Sequence, residues 1–397
     1  MATGQDASDE LVNAARALEP VIRQHADEAE QNHRLSQPAV HALASAGLFR
    51  MWVPQTLGGL EVAPLTFYRV VEEVSRVDGS TGWCLFIGGA TVVMGAFLGD
   101  RAAEDVYGRD PLNVVAGSIA GFGKAVPQKD GYLLSGRWPY ASGCQHSGWF
   151  MGFCHVMEGE QPRLTPAGVP EVWVVHVPAE KVRILADTWD VSGLAGTGSH
   201  DFVVEQAFVP EAYAWRFGPG AALGKHYQGF LYRYPFATLL RLPMSAVALG
   251  IAQGAIDACL ALAPTKRAVV GPGVLRDHPQ FQARIAEAVA LVGSSRAWLH
   301  TALQRAWDTT LAGGSASPAE RGELALAGLN ATRRAAEAVQ LVYMLAGGTA
   351  NYRRSSLQRS LRDVHAVTQH VGMSPLQYED AGRMVLGLEP LQPLLRF

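Results

Sequence analysis

The rhythm of apolar positions changes twice along the chain. From Asp6 to about Asp110, Leu11, Ala15, Leu18 and Ile22 recur at steps of three and four, which places them on one buried helical face. Ser36 followed by Pro38 reads as a cap and first turn, and Gly47 as the stop of that short helix. The run PLTFYRVVEEVSRVDGSTGWCLF predicts another helix closed by Asp78 and Gly79. The apolar stretch from Cys84 to Leu98 is broken by glycines and shorter than the roughly 20 residues of a membrane span, so it predicts a buried helix. Between Leu112 and about Trp215 the texture turns to β-branched and aromatic runs separated by glycine and proline, with Asp130-Gly131 marking a hairpin. After Tyr234 the helical rhythm returns. Met244 to Ala263 is small and apolar nearly all round and predicts a helix buried on most sides. Ile285, Val289, Val292, Leu299 and Leu303 mark the next, and Ser317-Pro318-Ala319-Glu320 is a capping box opening a helix that runs to Gly347-Gly348.

Helices, then strands, then long helices, without alternation, argue against a dinucleotide-binding parallel sheet. The chain of 397 residues with 48% hydrophobic content exceeds what one core usually holds. The expected division is a helical domain over 1–111, a β domain over 112–215 and a helical domain over 216–397. Lys plus Arg number 33 against 36 Asp plus Glu, a net charge of -3, so no field is present to hold a polyanion and nucleic acid is not an expected partner. Four cysteines without a CxxC pair, and an N-terminus without a basic-then-apolar leader pattern, point to a reducing, cytoplasmic setting with no membrane.

Local motifs for other chemistries are missing. No GxGxxG follows a strand, and the segment from Gly218 to His226 has histidine where a phosphate loop needs Ser or Thr after the lysine. The twelve histidines include no HExxH, and His365 and His370 stand five apart, off a common helical face, so no metal site is expected from spacing.

Five segments occur in a telling order: GLFRMWVPQTLGG from Gly47, EEVSRVDGSTGW from Glu72, SGRWPYASGC from Ser135, GLAGTGSHDFVVEQAFVP from Gly193 and LRDVHAVTQHVGMSP from Leu361. Together they resemble the acyl-CoA dehydrogenase superfamily over most of the chain. The resemblance implies a mainly α fold with a helical N-terminal domain, a β barrel in the middle and a C-terminal four-helix bundle. It also implies a homotetramer with flavin between barrel and bundle. One departure matters: with Arg362-Asp363 on the family's Arg-Asp, His370 falls at its Tyr, Val371 at its catalytic Glu and Gly372 at its Gly. Valine cannot act as a base.

TQHVGMSP, with GSTGW and PYASG, is similar instead to the two-component, reduced-flavin-dependent monooxygenases of this superfamily. That implies FMNH2 or FADH2 supplied by a separate NAD(P)H:flavin reductase, O2 as co-substrate, a flavin C4a-hydroperoxide, and hydroxylation of a small aromatic substrate. Other relatives oxidise sulfur heterocycles or hydroxylate nitrogen. A dehydrogenase with its base relocated, for which Glu287 is the candidate, and a non-catalytic flavin-binding protein are the alternatives.

The resemblance places Ser142 where a hydroxyl hydrogen-bonds flavin N5; a turn serine bonding its own backbone is the plain alternative. Tyr140 matches an aromatic that packs on the flavin, or is an ordinary strand residue. Ser118 lies on a neighbouring strand within reach of flavin or substrate. His370, beside the former glutamate position, is the candidate donor to the peroxide oxygens, against the reading of a satisfied core histidine. His365 is a second candidate in the substrate site, with Trp83, Tyr227 and Phe230; the aromatic density from Tyr227 to Phe236 suits a pocket wall, core or subunit interface alike. Arg267 matches an arginine that reaches the cofactor phosphates across an interface, or is an exposed helix-end residue. Gly372 and Ser374 fall in a segment that touches flavin in relatives. Ala195 stands where an arginine is usual, and no histidine follows Trp83 closely, as it does in many phenol hydroxylases of this group.

Overall fold

The computed structural model describes residues 4–218, 220–267 and 272–392. The N-terminal part is helical: α1 (Gly4–Ala17), α2 (Glu19–Asn32), α3 (Gln37–Ser45), α4 (Pro64–Val77), α5 (Gly79–Ala90), α6 (Val92–Gly95) and α7 (Asp100–Ala103). Ser36 caps α3 by accepting from Ala39 N–H, and Gly47 follows that helix in the left-handed region at φ 71°. Asp78 is the pivot between α4 and α5. Its extended backbone ends α4, while its carboxylate accepts from Thr81 N–H at 2.8 Å and Thr81 Oγ1 at 2.7 Å and so opens α5. The helices approach closely there: a Cβ on Gly82 would lie 1.8 Å from Ser75 Oγ.

The strands are β1 (Val115–Gln128), β2 (Gly131–Trp138), β3 (Trp149–Glu158), β4 (Gln161–Pro162), β5 (Val172–Pro178), β6 (Arg183–Leu185), β7 (Asp201–Pro210) and β8 (Ala214–Arg216). The hairpin at Asp130-Gly131 joins antiparallel β1 and β2, with Gln128 opposite Gly131. The sheet order is β6-β7-β2-β1-β3-β5-β8, with β4 on β3 and with β1 and β3 parallel. It encloses its own core of Leu134, Trp138, Phe150, Cys154, Val175 and Phe202. The expected closed barrel is not formed: among the described residues β6 and β8 are the two ends of an open sheet. Each edge strand has only three residues and pairs on one side alone, too little ladder to join the ends.

The C-terminal part holds α8 (Phe236–Arg241), α9 (Pro243–Leu262), α10 (Pro279–Leu311), α11 (Pro318–Ala346), α12 (Ser356–Gln369) and α13 (Gln377–Val385). The capping box forms as the spacing predicts, with Ser317 and Glu320 bonding each other's backbone and Pro318 at the first position. Helix α9 packs against α4, α11 and α12, and α10 against α11. The segment Phe236–Leu262 is long and apolar enough to cross a membrane by composition, but most of it is buried within the protein. Val289, expected on the buried stripe of α10, is 50% exposed, because α10 turns its Val292, Leu299 and Leu303 face inward instead.

Candidate active site

Three segments distant in sequence meet beside α5. Trp83 comes from α5, Ser142 from the loop after β2, and His370 from the end of α12. The indole N–H of Trp83 donates to Ser142 Oγ at 3.0 Å. Its ring lies 5.8 Å from that of His370, tilted by 59°, and 5.6 Å edge-on from Phe86. Trp83 and Ser142 are both only 7% exposed.

Main-chain bonds position Ser142. Ala141 N–H donates to His200 O at 3.0 Å and Gly143 N–H to Thr197 O at 2.9 Å, and Cys144 Sγ lies 3.2 Å from Gly198 O. These lace the loop after β2 to the loop before β7. Tight reversals permit it: Gly143 and Gly198 take φ of 74° and 53°, Tyr140 and Leu194 take 66° and 54°, and a Cβ on Gly198 would fall 2.4 Å from His33 O. Behind Ser142 runs a row of hydroxyls: Ser142 Oγ to Ser199 Oγ at 2.7 Å, Ser199 Oγ to Thr197 Oγ1 at 2.7 Å, and Thr197 Oγ1 to Leu194 O at 2.7 Å.

His370 leaves α12 with an extended backbone, and its Nδ1 accepts from Gly372 N–H at 3.0 Å. Nδ1 is therefore unprotonated and Nε2 carries the hydrogen. The ring keeps some surface, but the protein packed around it, with help from the Arg241 cation, pushes its pKa down to about 4, so it is neutral at physiological pH. One helical stretch earlier, the fully buried Asp363 accepts from Leu194 N–H at 2.7 Å. Burial first, and then nearby Asp78, raise its pKa to about 7. Arg359 spans this acidic region, contacting Asp27, Glu30 and Asp78.

The other candidates fall in varied settings. Gly372 is buried within the His370 turn, and Ser374 Oγ accepts from Leu376 N–H at 3.2 Å. Ser118 is buried but bonds Ala120 N–H and O, both at 3.0 Å, the pattern of a serine serving its own turn. Tyr140 is 62% exposed with its ring edge-on to Trp189. Arg267 is exposed beyond α9, and His365 is exposed on α12. Tyr227 is fully buried and packs edge-on against Tyr232, a core position rather than a pocket wall. Phe230 is half-exposed beneath the Arg233 guanidinium. The structure thus gathers Trp83, Ser142, His370 and Gly372, and packs Tyr227 and Phe230 in other company. Sequence reasoning missed Thr197, Ser199 and Asp363 as parts of this site. Their signal was present, since the GTGS and RD segments supplied the resemblance, but only the lacing shows what their side chains do.

Neither position considered for a dehydrogenation base serves as one among the described residues. Val371 is exposed and cannot ionise, and Glu287 is an exposed residue paired with Arg284 at 2.7 Å. What the arrangement offers instead is an uncharged hydrogen-bonding set: Ser142 Oγ at the N–H edge of the Trp83 indole and His370, whose Nε2 carries the hydrogen, tilted against the same ring.

Comparison with known proteins gives the family. Residues 6–102 match the family model "Acyl-CoA dehydrogenase, N-terminal domain" and residues 242–375 match "Acyl-CoA dehydrogenase, C-terminal domain". The chain is 35% identical to the indole-3-acetate monooxygenase of Pseudomonas putida, covering 92% of this chain and 90% of that protein. It is 31% identical to the flavin-dependent monooxygenase oxygenase subunit HsaA of Mycobacterium tuberculosis, covering 94% of each. The crystal structure of 3-HSA hydroxylase from Rhodococcus sp. RHA1 superposes with a TM-score of 0.87 at 29% identity, over 97% of this chain and 99% of that one. With both family models matched over more than half of the chain and monooxygenase relatives above 30% identity along nearly its whole length, the chain belongs to the acyl-CoA dehydrogenase family, in its flavin-dependent monooxygenase branch.

Proposed function

We propose that the chain is the oxygenase of a two-component system, taking reduced flavin from a separate NAD(P)H:flavin reductase and using O2 to hydroxylate a small aromatic substrate. The observation that carries this reading is the convergence of Trp83, Ser142 and His370. It fits a flavin: a serine hydroxyl has one proton and two lone pairs, Trp83 and Ser199 occupy two of these three sites, and one remains for a ligand. On this reading Ser142 meets flavin N5 and the segment around Gly372 lies along the ring. Bound reduced flavin would supply the chemistry of O2 activation. Ser142 would hold the N5 hydrogen, and the Nε2–H of His370 would donate to oxygen at the reacting centre. Because that ring is neutral, it assists by hydrogen bonding rather than as a charged acid.

The relatives point to the substrate class. One is named for indole-3-acetate, another is an FADH2-dependent resorcinol hydroxylase of Rhizobium. A planar ring suits a site beside the Trp83 indole, which Phe86 supports edge-on from within the core. The exposed apolar residues Val371, Leu376, Val385 and Leu386 read as a face between copies of the chain, in keeping with a tetramer. In that assembly Arg267 would reach a neighbour's cofactor phosphates. The division at 111 and 215 and the cytoplasmic setting belong to the same proposal.

The test supplies chemically reduced FMN or FAD, 18O2 and a panel of indoles and phenols to the purified chain, with mass spectrometry of products. One 18O atom per product molecule is expected, with no oxidation of NADH by the chain alone. Sustained NADH turnover without a reductase, or bleaching of bound flavin by acyl-CoA, would overturn the proposal.

A further inference from the structure

The row of hydroxyls behind Ser142 has a direction. Thr197 Oγ1 lies 2.7 Å from the carbonyl oxygen of Leu194, and a carbonyl has no proton to give, so Thr197 donates there. Ser199 Oγ is 2.7 Å from Thr197 Oγ1, whose proton is already committed, so Ser199 donates to Thr197. Ser142 Oγ is 2.7 Å from Ser199 Oγ and, by the same count, donates to it. From the other side the Trp83 indole, which can only donate, reaches Ser142 Oγ at 3.0 Å. Every proton in the row points toward Leu194, and what Ser142 has left is a lone pair.

The row is also well anchored. Ser142, Ser199 and Thr197 are 7%, 3% and 1% exposed, so little solvent competes for their protons. The Leu194 carbonyl that sets the direction is itself held, accepting from Thr197 N–H at 3.1 Å and Trp189 Nε1 at 3.3 Å, while Leu194 N–H is tied to Asp363.

We propose that Thr197 and Ser199 are positioning residues that make Ser142 an acceptor only, and that this polarity makes the site prefer reduced over oxidised flavin. The inference rests on the reading that Ser142 meets N5. N5 of reduced flavin carries a hydrogen and donates to the free lone pair. N5 of oxidised flavin has only a lone pair of its own, and two fixed acceptors face to face disfavour binding. An oxygenase that receives its flavin reduced from another protein is served by such a polarity, since it takes up the reduced form and lets the oxidised form go.

Loss of the relay frees the Ser142 proton to turn toward the ligand. In Ser199→Ala that proton has no partner behind it. In Thr197→Val the Ser199 proton loses its acceptor and can turn back to Ser142. Both variants should therefore bind oxidised flavin more tightly and reduced flavin more weakly, opposite changes that general loosening of the loop would not produce. Thr197→Ser keeps a hydroxyl on the Leu194 carbonyl and should retain the parent preference.

The experiment measures Kd for FMN and FAD by fluorescence titration, oxidised in air and dithionite-reduced under anaerobiosis, in the parent, these three variants and Ser142→Ala. Circular dichroism confirms folding. The expected result is a fall of about tenfold or more in the ratio of oxidised to reduced Kd for Ser199→Ala and Thr197→Val, a change of about 1.4 kcal/mol, with rescue in Thr197→Ser. If Ser142→Ala shifts the ratio but the relay variants weaken both forms alike or leave the ratio unchanged, the relay is overturned while the N5 reading stands. If Ser142→Ala itself leaves the ratio unchanged, the N5 reading fails and the inference with it.

Discussion

Gly372 N–H donates to His370 Nδ1 across 3.0 Å, and that bond fixes which face of the imidazole can act. The nitrogen engaged by the turn is the acceptor, so the hydrogen sits on Nε2. Folding lowers the pKa of this ring from 6.5 to about 4, which gives the direction of the pH effect. In that window the unfolded chain binds more proton than the folded one. The contribution of His370 to stability is fully present above about 6.5 and is lost as pH falls through about 4. Nitrogen-15 NMR of labelled histidine should show the Nε2–H tautomer across pH 5 to 8 and a midpoint near 4; a midpoint near 6.5 would contradict the packing described for the ring.

Removing the donor should uncouple turnover rather than abolish flavin binding. For His370→Ala we expect product per O2 consumed to fall by ~10²-fold, the usual scale for a positioned proton donor, with hydrogen peroxide released in its place. The Kd for reduced flavin should change by no more than about threefold. His370→Gln, whose amide N–H extends to about the place of Nε2, should restore part of the coupling. Oxygen-electrode measurements with product quantification decide this, and full coupling in the alanine variant would remove His370 from the reaction.

Val371→Glu puts a carboxylate where the family resemblance places the dehydrogenase base, yet it should not produce acyl-CoA oxidation. Val371 is 62% exposed in the single chain, and a base acts only on a proton held within hydrogen-bonding reach. Anaerobic addition of a short-chain acyl-CoA to the flavin-loaded variant should leave the flavin absorbance unchanged over minutes. Bleaching would mean that a thioester pocket survives in this branch.

Asp363 makes a pH signature in the opposite sense. Its pKa rises from 3.8 unfolded to about 7 folded, through burial and Asp78, against the favourable Leu194 N–H, Arg359 and Arg362. The folded state holds the extra proton, so stability declines as pH rises between about 4 and 7. Asp363→Asn keeps an oxygen for Leu194 N–H and removes the titration. The difference in Tm, variant minus parent, should therefore grow from pH 5 to pH 8; a constant difference would show that Asp363 does not titrate in this window.

Much of the local structure was legible because its causes are local. Ser36, Asp78, the Asp130-Gly131 turn and the Ser317-Glu320 box act within four residues of themselves, and each forms where its spacing places it. The failure of β6 and β8 to meet was not legible, because closure depends on the relation of two strands far apart in sequence. Tyr227 and Phe230 show another limit: a run of aromatics looks alike in the sequence whether it faces core or pocket, and here one residue is fully buried and the other half-exposed. Ser142 and His370 stood out through their motifs. Ser199 and Thr197 did not, because a hydroxyl acquires a direction only when its neighbours' protons can be counted, and those neighbours lie more than fifty residues from Ser142.

The lacing between the loop of Ser142 and the loop before β7 is made largely of peptide groups, Ala141 to His200 and Gly143 to Thr197. A peptide bonds in the same way whatever side chain it carries. Lineages descending from such a chain can therefore change side chains around the site, and with them the substrate, while the register of the two loops is inherited intact. Gly198 is an exception, since a Cβ there would collide with His33 O. Variation is thereby steered toward the walls of the site and away from its frame, which suits a scaffold that diversifies its substrates while keeping one oxidant.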